Sequence, residues 1–227
     1  MKVLVACEES QTVCRAFRAR GHEAYSCDIK APSGGFCEWH ILGDAVRAMK
    51  GGRVVTMDGE EHDIGRWDLM IAHPPCTYLT NAGTRHYSLR MNKAVDVIER
   101  MKKRESAIVF FMECVGAPID RIAIENPSGR MNSVYRQADQ IVHPYYFAKD
   151  ENDAANYEKK RTCLWLKNLP PLTYNAPKPP APRGYDTKGR AIYWEGFVSG
   201  KERATVRSRT FPGIAAAMAE QWGGLDD

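Results

Sequence analysis

The stretch that decides the fold opens the chain: Lys2-Val3-Leu4-Val5-Ala6-Cys7, then Glu8-Glu9-Ser10-Gln11, then a run to Gly21, then Ala24-Tyr25-Ser26-Cys27-Asp28. The apolar residues 2 to 7 predict a short buried strand. The four polar residues after it predict a turn. Val13, Ala16, Phe17 and Ala19 recur at helical spacing, and Gly21 is a natural C-terminal stop. A second strand closes on Asp28. This is a β-α-β opening with an acid at the end of its second strand, where nucleotide-binding parallel sheets meet ribose hydroxyls. Further strands are predicted at Trp67 to Ala72, running into His73-Pro74-Pro75-Cys76, at Arg121 to Ile124, ending at Glu125-Asn126-Pro127, and at Arg161 to Leu166. Met91 to Met112 fits one long helix or a helix leading into a strand. Ile214 to Trp222 reads as a helix. Alternating strands and helices imply an α/β fold with a mostly parallel sheet. Ligands of such sheets sit beyond the carboxyl ends of the strands, and Asp28, Cys76 and Glu125 all fall at predicted strand ends.

The 227 residues are 44% hydrophobic and 26% charged. That balance excludes wholesale disorder and fits one domain with a small appendage. We divide the chain into a core over 1–168, a Pro-rich and basic segment over 169–210, and a helix over 211–227 that packs back on the core. The proline-dense part, Leu169 to Arg183, predicts an extended linker or loop. No apolar run approaches the roughly 18 residues of a membrane span. The N-terminus predicts a strand rather than a signal peptide. There are 7 cysteines and no C-x-x-C pair, so reduced thiols in a cytoplasm are expected. Cys37 and His40 have ligand-like spacing without a second pair nearby, so no metal is expected.

Charge is unevenly placed. Residues 159 to 210 hold twelve Lys and Arg against three acids, with Trp165, Tyr174, Tyr185, Tyr193, Trp194 and Phe197 interleaved. Such a mixture suits a phosphate backbone and unstacked bases. A solvated basic surface has the same composition.

The sharpest segment is Pro74-Pro75-Cys76-Thr77-Tyr78-Leu79-Thr80-Asn81-Ala82-Gly83-Thr84-Arg85. It resembles the catalytic loop of DNA cytosine carbon-5 methyltransferases, G-P-P-C-Q-G-F-S-x-A-G-x-R. Pro-Pro-Cys, Ala-Gly and the final Arg fall in register. Thr77, Tyr78 and Leu79 replace Gln, Gly and Phe. Ile124-Glu125-Asn126-Pro127 is similar to the family's Glu-Asn-Val at a strand end. Tyr157-Glu158-Lys159-Lys160-Arg161 is similar to its Q-x-R-x-R before a strand. The three segments occur in family order and span roughly residues 2 to 166. The family's glycine-rich F-x-G-x-G-G loop is absent; Cys7-Glu8-Glu9-Ser10-Gln11 stands in its place. The region from Leu169 to Arg209 sits where a target-recognition domain belongs, and is much shorter.

The resemblance implies a Rossmann-like S-adenosylmethionine-dependent methyltransferase fold and a basic appendage. It implies catalytic roles for Cys76, Glu125 and Arg161. The cofactor would lie against Cys7, Glu8, Ser10, Asp28, Asp44 and Pro74, and the substrate against Asn126, Lys159, Arg85, Arg207 and Arg209. DNA is the expected substrate, with RNA or a free cytidine nucleotide as alternatives and a catalytically decayed nucleic-acid-binding protein as the rival class. The chemistry needs these residue types. A thiolate adding to cytosine carbon 6 makes carbon 5 nucleophilic. A protonated glutamic acid in a desolvated pocket can hydrogen-bond ring nitrogen 3. An arginine can donate to the ring carbonyl. Glu8 and Ser10 can also cap the first helix, and Asp28 and Asp44 can be turn formers.

Overall fold

The computed structural model describes residues 1–175, 177–193 and 210–225. Its centre is a seven-stranded sheet. In chain order the strands are β1 (Lys2–Ala6), β2 (Glu23–Asp28), β3 (His40–Leu42), β6 (Leu69–Ala72), β7 (Arg121–Pro127), β8 (Gln140–Val142) and β9 (Thr162–Lys167). Across the sheet the order is β3-β2-β1-β6-β7-β9-β8. β1, β2, β3, β6 and β7 are parallel; β9 runs antiparallel to both β7 and β8. The sheet is compatible with a Rossmann-like fold: it has the doubly wound arrangement with a reversed strand inserted near one edge. β1 and β6 are the neighbours at which the strand order reverses, so the crevice beyond their carboxyl ends is where such a sheet binds its ligand.

Helices cover both faces. On one side α1 (Thr12–Arg18) and α5 (Pro212–Gln221) pack together through Val13, Phe17, Ile214, Met218 and Trp222. On the other, α2 (Ala45–Ala48), α3 (Ala94–Val115) and an antiparallel hairpin of β4 (Gly52–Val55) and β5 (Glu61–Gly65) enclose Tyr25, Trp67, Phe111, Ile119 and Trp165. The buried indoles each donate to a carbonyl: Trp67 to Ala48 at 2.7 Å, Trp165 to Arg136 at 2.9 Å and Trp222 to Pro170 at 2.9 Å. Burying these rings therefore strands no polar group. The remaining elements are α4 (Met131–Val134) and a small hairpin of β10 (Gly184–Tyr185) and β11 (Ala191–Ile192).

The segment from Met91 resolves as one helix, Ala94–Val115, with no strand. β7 does not stop at Ile124. Its partner β6 ends there, at Ala72, but pairing with β9 carries it on to Pro127, which faces Thr162. A proline is tolerated where a strand has a neighbour on one side only. The proline-dense stretch is not a free linker at its start. Leu169 and Leu172 are buried in the core, and Leu172 exchanges two backbone bonds with the Gln140 side chain, at 2.7 and 2.8 Å. The leucines on either side of Pro170-Pro171 give that stretch an apolar anchor. No helix among the described residues is long and apolar enough to cross a membrane.

Candidate active site

β1, β6 and β7 release their chains at one edge of the sheet, and β9, running the other way, begins there. The edge therefore gathers the turn after Ala6, the loop after Ala72, Glu125-Asn126, and the residues just before Thr162.

The loop carrying Cys76 is fastened to the turn after β7 mainly through backbone. Arg130 N–H donates to the Leu79 carbonyl at 2.7 Å, and Asn81 N–H to the Ser128 carbonyl at 3.2 Å. Gly129 permits this approach, because a Cβ there would stand 2.0 Å from the Leu79 oxygen. Buried Asn126 adds a side-chain bond, Nδ2 to the Pro74 carbonyl at 2.8 Å. From α3, Arg100 donates to the Thr77 carbonyl at 3.2 Å while its guanidinium lies 5.0 Å from the Tyr78 ring centre and 5.2 Å from that of Tyr87. Cys76 itself is half-buried. Cys14, Cys27 and Cys114 are buried, and burial pushes each of these thiols up to about 12. Such thiols are inert at neutral pH.

Glu125 does not stand alone. Its Oε2 lies 3.3 Å from His73 Nδ1 and accepts from the Thr210 hydroxyl at 3.3 Å. Burial disfavours charge on both members of the pair. Their hydrogen bond and opposite charges outweigh it: His73 is held above its ordinary value and Glu125 below its own. Lys160 also favours the Glu125 carboxylate, and Glu8 favours the His73 imidazolium. The surroundings thus favour the carboxylate form of Glu125 and the imidazolium form of His73. His73 occupies the position where the family loop has glycine. Its Nε2 and the Oδ1 of Asn126 are buried without a partner among the described residues, so two polar atoms at this edge await one.

The turn after β1 is built differently. Cys7 and Gln11 both take left-handed backbone, with φ of 61° and 58°, a conformation that favours glycine. The glycine-poor sequence has kept glycine-like geometry at both ends of the turn. Gln11, fully buried, accepts from Phe36 N–H at 3.0 Å and donates to the Phe36 carbonyl at 2.8 Å and to Ser26 Oγ at 3.2 Å. Glu8 caps α1: its carboxylate takes Val13 N–H at 2.6 Å and Cys14 N–H at 3.1 Å. Burial raises its proton affinity. Ser10 bonds Thr12 at the start of the same helix, 3.1 Å between hydroxyls. Asp28 accepts Lys30 N–H at 3.0 Å, and Asp44 caps α2 through Val46 N–H at 2.9 Å. The charges of both acids bear on Cys7, whose thiol burial drives far up. Asp28 and Asp44 thus both lie within electrostatic reach of Cys7. Ile29, 79% exposed, stands beside Asp28.

Arg161 is exposed one residue before β9, and its charge falls on His143. Lys160, its neighbour, is the cation that acts on Glu125. Lys159 donates to the Tyr193 hydroxyl at 3.1 Å. Arg85 is exposed in the short turn Asn81–Tyr87. Arg207, Arg209, Trp194 and Phe197 lie outside the described residues. Cys37 is exposed, while His40 is buried between Ser26 Oγ and the Lys30 carbonyl, both at 2.9 Å, which makes it a structural histidine. Among the described residues no cluster of His, Cys, Asp and Glu could hold a metal ion. The sequence motifs assign no role to His73, Lys160, Thr210 or Arg100. The imidazole in place of glycine was the readable signal for His73; the others come together only through strand register and helix packing.

No family model matches the chain, and no curated protein sequence matches it.

Proposed function

We propose that this protein methylates carbon 5 of cytosine in DNA, with Cys76 as the nucleophile and S-adenosylmethionine as the donor. The observation that carries the reading is the fastening of the Pro74-Pro75-Cys76 loop to the Glu125-Asn126 turn, beyond adjacent strands of a doubly wound sheet. A thiol and a carboxyl group on separate loops need such a common frame to act on one ring.

The residues at the turn after β1 fit the cofactor. The left-handed backbone at Cys7 and Gln11 gives the turn the sharp course that glycine would otherwise supply. In this reading Asp28 takes the ribose hydroxyls, Asp44 an exocyclic amine, and exposed Ile29 an adenine face. Glu8 serves from behind, by holding α1. When bound, S-adenosylmethionine supplies an electrophilic methyl group.

The protein's own residues supply the rest. Cys76, as thiolate, forms a bond to carbon 6, and the ring's carbon 5–carbon 6 electron pair shifts toward nitrogen 3. A proton must arrive there as charge builds. Glu125 delivers it, drawing on the proton that His73 holds beside it, so the buried pair passes from ionised to neutral as the ring takes up the charge. After methylation a base removes the proton from carbon 5, the sulfur–carbon 6 bond breaks, Cys76 leaves as thiolate, and nitrogen 3 returns its proton to the Glu125–His73 pair. In this reading Lys159 and Arg161, basic side chains just before β9, meet the substrate's phosphates. The carbon is inaccessible in a stacked duplex, so the base is flipped or already unpaired.

The short recognition segment favours a second substrate class, a free cytidine nucleotide, with the same chemistry. The decayed-fold rival sits poorly with a retained thiol, carboxylate and glycine-like turn. Transfer of labelled methyl to duplex DNA, single-stranded DNA, RNA and cytidine nucleotides in parallel tests the proposal. Incorporation into DNA that requires Cys76 is expected. Incorporation into nucleotide alone selects the second class, and none into any substrate removes the methyltransferase reading.

A further inference from the structure

Helix α3 is apolar on two faces. Val97, Phe111 and Cys114 are buried beneath it. On the opposite side Val95 (66% exposed), Ile98 (54%), Val109 (59%) and Met112 (38%) project outward among the described residues. Single exposed apolar side chains are ordinary on a protein surface; a row of them marks an interaction site. The row here is ordered. Residues 95, 98, 102, 105, 109 and 112 advance by alternating steps of three and four, which is the seam of a coiled coil. Val95, Lys102 and Val109 take its a positions; Ile98, Glu105 and Met112 take d. Met91, also exposed, continues the same spacing ahead of the helix. The seam is apolar at both ends and carries one lysine and one glutamate, both exposed, at its middle.

We propose that this face of α3 pairs with the same face of a second copy of the chain, antiparallel, about a twofold axis between residues 103 and 104. The sequence is self-complementary about that point. Val95 of one copy falls opposite Met112 of the other, Ile98 opposite Val109, and Lys102 opposite Glu105. Because a twofold contact is reciprocal, each of these pairings occurs twice. Apolar meets apolar over about 25 Å of helix, and each lysine meets a glutamate. A parallel pair would set Lys102 on Lys102 and Glu105 on Glu105, so the central charges select the antiparallel arrangement. They also fix the register, as a polar residue at a seam position does in coiled coils. A nucleic acid has no use for an apolar row with a glutamate at its centre.

Sedimentation velocity on the full chain, across micromolar concentrations, tests this. The wild type is expected to sediment as a dimer. Ile98→Glu with Val109→Glu is expected to weaken dimerisation by about 100-fold or more, leaving the circular dichroism and melting temperature of the monomer unchanged, since both side chains are exposed. Lys102→Glu alone is expected to weaken it by about tenfold, and adding Glu105→Lys to restore it. A wild type that stays monomeric overturns the proposal. So does a dimer that survives the double glutamate variant, a Lys102→Glu variant that dimerises as tightly as wild type, or a charge-reversed pair that fails to recover.

Discussion

The turn after β1 and the loop after β6 leave the same edge of the sheet, side by side, and are built by opposite means. The loop after β6 is held mainly by backbone: carbonyls and amides of residues 79–81 meet those of residues 128–130 across a gap that only glycine at 129 allows. The turn after β1 is held by side chains brought from elsewhere. Glu8 caps α1, and Gln11 ties the turn to Phe36 and Ser26. Backbone construction demands particular residues at fixed spacing, so it leaves a motif. Side-chain construction draws on partners scattered along the chain, so it leaves none. A glycine-poor turn can therefore hold glycine-like geometry at Cys7 and Gln11 without looking like a cofactor loop.

If the contrast is right, the two halves should break differently. The largest effect is expected from Gly129→Val. The added Cβ would stand 2.0 Å from the Leu79 oxygen, so the loops must separate. Displacement of a nucleophile by about 1 Å costs on the order of 100-fold in rate, and methyl-transfer kinetics should show at least that loss with cofactor affinity unchanged. An intact rate would mean that the fastening is incidental.

Next comes Gln11→Ala, which removes three hydrogen bonds, one buried and two part-buried, from the other half. Denaturant unfolding should show a loss of about 2–3 kcal/mol. Cofactor affinity by calorimetry should fall, while turnover at saturating cofactor changes little. A variant that loses turnover and keeps affinity would reverse the assignment of the two halves.

His73 and Glu125 bridge the halves and give a pH signature. His73 is raised above its ordinary 6.5, so its contribution is complete below that pH and is lost as pH climbs through the folded value. Glu125 is lowered below its ordinary 4.5, so its contribution is complete above that pH and fades in stronger acid. The wild type should therefore exceed His73→Gln in stability by an amount that is largest between about 4.5 and 6.5 and shrinks at higher pH. Melting curves from pH 4 to 9 measure it; a difference that grew with pH would place the proton elsewhere.

The smallest structural effect belongs to Asp28→Ala. The carboxylate is half-buried and accepts one backbone N–H, so stability should stay within about 0.5 kcal/mol of wild type. Cofactor affinity should fall about tenfold through the lost ribose contacts. Unchanged affinity would move the nucleotide away from β2.

Much of this was legible in the residues. The buried runs at Val3–Ala6, Leu69–Ala72 and Ile122–Ile124 announce parallel strands because both faces of the sheet are covered, so their apolar character is continuous. The Cys76 loop is legible because proline and glycine punctuate it. β3, only three residues long, and the hairpin of β4 and β5, with polar strands such as Glu61–Gly65, carry too little periodicity to be read. The placement of Lys160 rather than Arg161 near Glu125 is a matter of which side of the chain faces inward just before β9. A run of three consecutive cations cannot reveal that. The His73–Glu125 pair is equally silent in sequence, since its members are separated by α3 and meet only because β6 and β7 are neighbours.

The most direct measurement of the central claim is a covalent trap. An oligonucleotide containing 5-fluorocytosine, incubated with the protein and S-adenosylmethionine, cannot lose fluorine as a proton, so the elimination that frees the thiol stalls. Denaturing mass spectrometry with peptide mapping should find a protein–DNA adduct, methylated and fluorinated, on the peptide bearing Cys76, and none with Cys76→Ala. An adduct on another cysteine, or none from a folded protein that binds the cofactor, would contradict the account.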